Sequence, residues 1–534
     1  MQTTIPFNTH SLSHGILTNR TYFQTFAVVI CLTGMAILLA LILQSTGGAL
    51  NYTLDDPYIH LALAENLVQG HYGVNVDENA SPSSSILYPF LLAASLAIGF
   101  GQWAPLALNV IGTVGAGWIL SGLFWDALHK SDTGHVSWVA LMTLPFLLLA
   151  MSGFALGFTG MEHTLHVWVS LAIVRGLIVM GQTKAVPLFL LVACIATPLL
   201  RFEGAALSGA ALLAICLTGH WRAGLTTGTI LAGCFAVYVT TMLSLGLPPM
   251  PSSVMVKSGS TAALVANRID AVGIEILLNL RASLANRQGG ILAGLVVIAL
   301  LRCPWAKPQE RTVAFVAAAA GIAHLLVGRW DWFFRYEVYI IATLIAANLY
   351  LWTPILNTQN RRITTPGLLF LILPFISYNY LLGAILTPPA ARNIYEQQFQ
   401  MHRFATDYFP ERVAVIDLGW VTYDNDQYVL DLWGLGSETA RQLYQNVGRT
   451  PEPIRTLTEN ANVSYAMLYD EVFYEGLPEE WCLIGQLETP QVTASFATVE
   501  FFLIVPDEET RMRDAMDAFA TSLPERVSLH TFDC

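Results

Sequence analysis

Long apolar runs almost empty of charge govern what this chain can fold into. Phe23 to Leu43 contains no charged residue. Similar runs of about 15 to 22 residues recur through the first three quarters of the sequence, each enough to cross a hydrocarbon core roughly 30 Å thick. Inside lipid an α-helix satisfies the backbone of such a segment internally. The first run is too long for a cleavable leader and no small-residue cleavage site follows it, so it reads as a retained span. Composition agrees. Of 534 residues, 54% are hydrophobic and 12% charged, a bilayer composition rather than that of several soluble domains.

The expected spans are roughly 23–43, 104–124, 137–158, 163–180, 186–200, 204–219, 225–245, 289–302, 312–328, 337–353 and 366–386. A further apolar block, Ile86 to Phe100, is read as an interfacial or re-entrant helix. Left out of the count, it puts Arg20, His129-Lys130, Lys184, Trp221-Arg222, Arg302 to Arg311 and Arg361-Arg362 all on the cytoplasmic side, as positive charge requires. The opposite side then receives 44–103, 159–163, 201–203, 246–288, 329–336 and everything after 387.

Charge divides the chain in two. Residues 1–387 hold 17 Lys/Arg against 14 Asp/Glu, and residues 388–534 hold 9 against 24 with no lysine. An acidic, lysine-free tail is a poor partner for nucleic acid or an anionic bilayer surface. It reads as a solvated extracytoplasmic domain. After Thr387-Pro388-Pro389 it opens with a helical stretch, Ile394 to Phe409. Strand-like runs follow at Arg412 to Leu418, Tyr428 to Leu432, Ser464 to Tyr469 and Ala497 to Ile504, with a turn at Asp424-Asn425-Asp426 and a closing helix from Glu508 to Thr521. The expectation is an α-helical polytopic membrane protein of about eleven spans (1–387, first outer loop 44–103) followed by an α/β domain (388–534). Of seven cysteines only Cys482 and Cys534 fall in the tail. In an oxidising compartment they are expected to pair.

Ionisable residues outside the spans gather at membrane junctions, where charge must be satisfied and is often functional. The first loop carries Leu54-Asp55-Asp56-Pro57-Tyr58 and later Asn75-Val76-Asp77-Glu78. Two carboxylates this near a span suit a general base. Asp56 before Pro57 equally suits a helix start. Glu162 and His163 in Gly160-Met161-Glu162-His163-Thr164, and Arg201-Phe202-Glu203-Gly204, sit on the same side. Each also reads as a capped helix entry or an Arg–Glu pair. Arg329 and Arg335-Tyr336 flank an aromatic run that interfacial anchoring explains. With Arg201 and Lys257 they form a set able to hold a lipid phosphate. The sequence contains no nucleotide phosphate loop, HExxH pair, GxSxG elbow or Cys/His metal spacing.

Asp55-Asp56-Pro57-Tyr58-Ile59, Ala64 to His71, Asn75-Val76-Asp77-Glu78 and Ser81 to Leu87 together resemble the first loop of GT-C superfamily membrane glycosyltransferases. The pattern is similar to the bacterial branch that includes the mycobacterial terminal arabinofuranosyltransferase. Gly160-Met161-Glu162, Arg201-Phe202-Glu203-Gly204, Pro251 to Lys257, Arg335-Tyr336, Val413 to Gly419 and Asp431 to Leu435 extend the likeness. Phe202 stands where the family usually has proline, and the Ser81-Pro82-Ser83 order also departs from its pattern. The resemblance implies a GT-C fold in the inner (plasma) membrane and an enzyme of the cell envelope. Its donor would be a polyprenyl-phosphate-linked sugar and its acceptor a glycan or glycolipid, with inversion at the transferred sugar. It implies Asp55 as the base, with Asp56 close behind and Glu78 nearby. Arg201, Lys257, Arg329, Arg335 and Tyr336 would hold donor phosphate. Glu162, His163 and Glu203 would serve a possible divalent metal ion (Mg, Mn or Ca) or support the site. The rival expectations are a transporter or flippase of lipid-linked sugars, which would need broken spans with charges at the membrane midplane, and a non-catalytic subunit of a glycan-assembly complex.

Overall fold

The computed structural model describes residues 19–128, 138–257, 269–356, 364–473 and 476–534. The connections containing His129-Lys130 and Arg361-Arg362 fall outside the described residues. The helices of the first part, in chain order, are α1 Arg20–Ser45, α2 Asp56–Val68, α3 Tyr88–Ala97, α4 Ala104–Leu128, α5 Trp138–Leu149, α6 His163–Thr183, α7 Leu188–Leu200 and α8 Ala205–Ile215. They continue with α9 Trp221–Ser244, α10 Ser252–Lys257, α11 Ile269–Ala285, α12 Arg287–Arg302, α13 Pro308–Val327, α14 Val338–Leu356 and α15 Thr364–Glu396.

Eight helical runs among the described residues are long and apolar enough to cross a bilayer. One of them, Phe202–Ser244, contains two of the expected spans, because Gly219 (φ 96°) breaks it between α8 and α9. The shorter α5 and α7, of 12 and 13 residues, occupy two further expected spans. Helix α3 has only 10 residues, about 15 Å of rise, and packs along α2.

Two expectations change. Segment 246–288, read as a loop, carries α10 and α11; the charges of Asp270, Glu275 and Arg281 interrupt its apolar pattern and hide α11. The final span does not stop at Pro388-Pro389. Helix α15 runs through them to Glu396, with the Thr387 hydroxyl donating to the carbonyl of Gly383 at 2.8 Å.

The tail is a six-stranded mixed sheet. Strands β1 Val413–Val415, β2 Val429–Asp431, β3 Tyr465–Leu468, β4 Cys482–Glu488, β5 Thr498–Leu503 and β6 Ser528–Thr531 lie in the order β2-β1-β3-β5-β4-β6. β1 pairs in parallel with β2 and β3, and the remaining pairs are antiparallel. Helices α16 Gln398–Arg403, α17 Gly419–Thr422, α18 Glu438–Val447, α19 Pro451–Asn460 and α20 Glu509–Ala520 complete it. Cys482 and Cys534 form a disulfide, Cα atoms 5.5 Å apart, tying the end of the chain to β4.

The tail is not a tethered bead. One hydrophobic cluster runs without a break from Ile42, Tyr52 and Tyr58 of the first part to Phe404, Trp420, Phe501 and Met516 of the tail. Tyr58 stacks on Trp420 with centroids 3.9 Å apart. The first loop and the tail therefore share one side of the helical bundle.

Candidate functional site

Gly160 brings the first loop against the loop that carries Glu162. Its φ of 66° suits glycine, and a Cβ there would lie 2.6 Å from Pro57 and 2.8 Å from Tyr52. Pro57 opens α2, so this contact fixes where Asp55 and Asp56 point. Their side chains diverge.

The Asp55 carboxylate faces the tail. Its Oδ2 accepts from the amide of Gly419 at 2.7 Å and its Oδ1 from that of Trp420 at 2.8 Å, so it holds the start of α17. Only glycine fits at 419, since a Cβ would come within 2.5 Å of the Asp55 carboxyl. Desolvation and then the neighbouring Asp417 carboxylate push Asp55 upward, while the two amides hold it back. Asp417 is raised as well, chiefly by desolvation, although Tyr469 and Gln398 donate to it.

Asp56 faces the helical bundle and pairs with Nη2 of Arg335. Arg335 is 1% exposed, and its Nε and Nη1 are buried without a hydrogen-bond partner. A buried guanidinium left with open donors is costly unless something else takes them. Arg335 leaves a turn in which Asp331, Trp332, Phe333 and Phe334 all have positive φ (68°, 49°, 64° and 58°). Four non-glycine residues in that region cost roughly 1–2 kcal/mol each. Glu337 secures the turn by accepting from the amide of Asp331 at 3.1 Å.

Tyr336 joins the two buried arginines. The guanidinium carbons of Arg201 and Arg335 lie 5.3 and 5.1 Å from its ring centroid. Arg201 is already neutralised. It donates to Glu162 Oε1 at 2.6 Å and to both oxygens of Glu203 at 2.8 and 3.2 Å, and reaches Ser84 Oγ at 3.4 Å. His163 stands edge-on to Tyr336, centroids 6.0 Å apart. This donor set does not fit the divalent ion that the resemblance implied. Glu162 and Glu203 share one guanidinium, and no group of three or more His, Cys, Asp or Glu able to hold a metal occurs among the described residues. Arg329 is exposed, and the side chain of Lys257 lies outside the described residues.

Glu78 is not brought to Asp56. Its oxygens accept from Tyr428 Oη at 2.6 Å and Ser437 Oγ at 2.9 Å, both tail residues. Asn75 exchanges two hydrogen bonds of 2.9 Å with the backbone of Val429, and Glu65 accepts from the amide of Asp424 at 3.2 Å. The first-loop acids other than Asp56 thus hold the tail in place.

Two cavities meet at Asp56. The smaller, about 240 Å³, lies almost wholly within the helical part between Asp56, Ser84, Arg201, Ser253, Arg329 and Arg335. The larger, about 1100 Å³, opens between the bundle and the tail. Asp56, Ile59, Arg329, Tyr336 and Leu435 border both. Sequence reasoning did not single out Ser84, Ser253 or Asp417, although each lies within a phrase that carries the resemblance: Ser81 to Leu87, Pro251 to Lys257 and Val413 to Gly419.

A protein-family profile described as Domain of unknown function (DUF8728) matches residues 392–502. No curated protein matches the sequence. Among solved structures, the chain is similar to the archaeal oligosaccharyltransferase AglB from Archaeoglobus fulgidus, in complex with an inhibitory peptide and a dolichol-phosphate. The TM-score is 0.42 and the identity 10%, over 90% of this chain and 74% of that one. A similarity of that size carries no inference about residues or reaction.

Proposed function

We propose that this protein is an integral-membrane glycosyltransferase of the GT-C type, which moves a sugar from a polyprenyl-phosphate donor to a hydroxyl acceptor on the extracytoplasmic side, with inversion. The observation that carries the reading is the Asp56–Arg335 pair at the meeting point of two cavities, with open guanidinium donors beside an exposed Arg329. The smaller cavity takes the donor's phosphate. Arg335 and Arg329 hold it, Arg335 through Nε and Nη1, which have no protein acceptor. Arg201 is not a phosphate ligand, because two carboxylates already occupy it. It braces Tyr336 instead.

The acceptor hydroxyl attacks the anomeric carbon as the carbon–oxygen bond to phosphate breaks. The leaving phosphate takes the bonding electron pair and Asp56 takes the hydroxyl proton. Arg335 and Arg329 stabilise the charge that gathers on the leaving group. Asp56 replaces Asp55 as the base because both Asp55 oxygens are filled by main-chain amides. In the resting protein Arg335 is engaged with Asp56. As the donor phosphate competes for the guanidinium, it releases the carboxylate for proton transfer, so the base becomes available where a leaving group is bound.

The test is transfer by the purified protein in lipid nanodiscs, with binding of polyprenyl phosphate measured separately. Asp56→Asn should lower transfer by on the order of 10²-fold or more while polyprenyl phosphate still binds. Arg335→Ala should weaken that binding about tenfold or more. Near-normal transfer by Asp56→Asn would show that Asp56 is only a helix start.

A further inference from the structure

Arg175 is a charge inside the span α6 that the site at Asp56 does not use. An ionisable residue within a span is costly and persists where something takes its charge. Trp168, Ala172, Arg175 and Val179 form a partly exposed stripe at helical spacing, so Arg175 shares a face with apolar neighbours. That face continues onto α4, which packs against both α1 and α6. Ile111 and Trp118 are exposed on α4, and Asp126 falls on the same stripe about 12 Å beyond Trp118.

Arg20, the first residue of α1, reaches Asp126 from the other flank. Its Nε donates to Oδ1 at 2.9 Å and its Nη2 to Oδ2 at 3.1 Å. Gly122 gives it passage, since a Cβ there would lie 2.7 Å from the Arg20 guanidinium. Gln24 steadies it, accepting from Nη1 at 3.1 Å and donating to the Trp118 carbonyl at 2.8 Å. This fork leaves Arg175 with one hydrogen bond among the described residues, from Nη1 to Asp126 Oδ2 at 3.4 Å. Two guanidinium groups thus share one carboxylate, an excess of one positive charge. The side chains of Arg20, Asp126 and Arg175 stay 36%, 41% and 29% exposed, so the cluster is open to a ligand.

We propose that Arg20, Asp126 and Arg175 form a binding site for the phosphate of an anionic glycerophospholipid, at the end of the bundle far from Asp56. A phosphodiester carries one negative charge and accepts the paired N–H groups that a guanidinium presents. Asp126 holds both arginines in place and trims their charge to match it. A zwitterionic lipid brings its own cation and gains less from the excess charge. The surroundings favour a lipid over a free anion. The face running from Asp126 past Trp118 to Ile111 is apolar, so acyl chains hanging from the phosphate lie against it. Trp168 packs over Gly115, where no room is left for a Cβ, and closes the floor between α4 and α6. Basic pockets between helix ends on the cytoplasmic side hold anionic headgroups, and the charge pattern of the sequence expects Arg20 on that side.

The test is native mass spectrometry of the full-length protein in detergent, titrated with phosphatidylglycerol and with phosphatidylcholine of the same chain length. The wild type should retain one phosphatidylglycerol about fivefold or more tightly than phosphatidylcholine, as one uncompensated arginine allows. Arg175→Gln should erase that preference. Asp126→Asn keeps both arginines, raises the excess charge to two and should tighten phosphatidylglycerol binding by about fivefold again. A cluster that only ties helices together predicts the opposite, because Asp126→Asn would loosen it and gain no lipid. Should Arg175→Gln fail to fold, Asp126→Asn decides alone. Equal retention of the two lipids by the wild type, a preference that survives Arg175→Gln, or weaker phosphatidylglycerol binding by Asp126→Asn overturns the proposal. Displacement of phosphatidylglycerol by inorganic phosphate at equal concentration also overturns it, and makes the cluster a site for a free anion.

Discussion

Asp55 and Asp56 are adjacent and chemically identical, and the fold gives them different work. One accepts two main-chain amides from the tail and the other faces a buried arginine. The sequence showed that a carboxylate pair stands at a membrane junction. It could not show which one has both oxygens taken by main-chain amides, because that depends on Gly419 and Trp420, more than 300 residues away along the chain. The two aspartates should therefore respond differently to the same change. Asp55→Asn leaves one of two amides facing an NH₂ group, a lost hydrogen bond worth about 1–3 kcal/mol. Its melting temperature should fall, while the transfer rate at a temperature where the protein is folded should drop far less than in Asp56→Asn. Equal rate losses in the two variants, with unchanged melting for Asp55→Asn, would reverse the assignment. Arg201 teaches the same lesson. It is a cation at the right junction whose pairing with Glu203, two residues on, was one reading of the sequence, but its second partner, Glu162, comes from another connection and only packing brings it there.

At the scale of elements, hydropathy was a good guide where one physical signal dominates. Helices α1, α4 and α6 are predominantly apolar runs, despite Asp126 in α4 and Arg175 in α6, and their positions follow from the sequence. Helix α11 was lost because its charges break the run, and β4 and β6 because a strand's signal is weak. Gly485 sits at a register shift in β4, and β6 is a short, mostly exposed edge strand. Helix α3 is the sharpest case. Its composition suits a span, but ten residues cannot cross the bilayer, and the charge distribution gave the same answer from independent grounds. Topology can be tested with single cysteines. Lys184 caps the far end of α6, whose 21 residues rise about 32 Å from His163. Ser495 is exposed on the tail. Lys184→Cys and Ser495→Cys should label with an impermeant thiol reagent from opposite faces of the membrane. Labelling from the same face would refute the span through α6.

The disulfide acts between these scales. Cys482 and Cys534 are 52 residues apart in sequence, and closing such a loop stabilises a folded domain by about 4 kcal/mol on the chain-entropy account. Neither cysteine lines either cavity. Cys534→Ser should therefore make β6 and the chain end more sensitive to protease and leave transfer unchanged. A loss of transfer in that variant would mean that the far edge of the sheet reaches the site.

The whole molecule is held together by acids of the first loop set into the tail, and several acids on this joint, and Asp431 behind it in the tail, are raised by desolvation. Glu65 is pushed up to about 7 and Asp431 to about 6, while Asp55 and Asp417 are raised by desolvation and then by one another or a neighbouring carboxylate. A carboxyl raised in the folded protein keeps a proton that the unfolded chain releases at the ordinary carboxylate value. Its contribution is fully present at low pH and is lost as pH climbs through the raised value. All four groups have the same sign, so the melting temperature of the purified protein should decline as pH rises from about 4 to about 8, with each raised group contributing up to roughly 1.4 kcal/mol per pH unit between its ordinary and its raised value. Asp417→Asn removes the like charge facing Asp55 and lets that carboxylate ionise against its two amides. The variant should show a shallower decline than the wild type. A melting temperature that rises over this interval, or a slope that Asp417→Asn leaves unchanged, would mean that the joint between bundle and tail does not hold these protons.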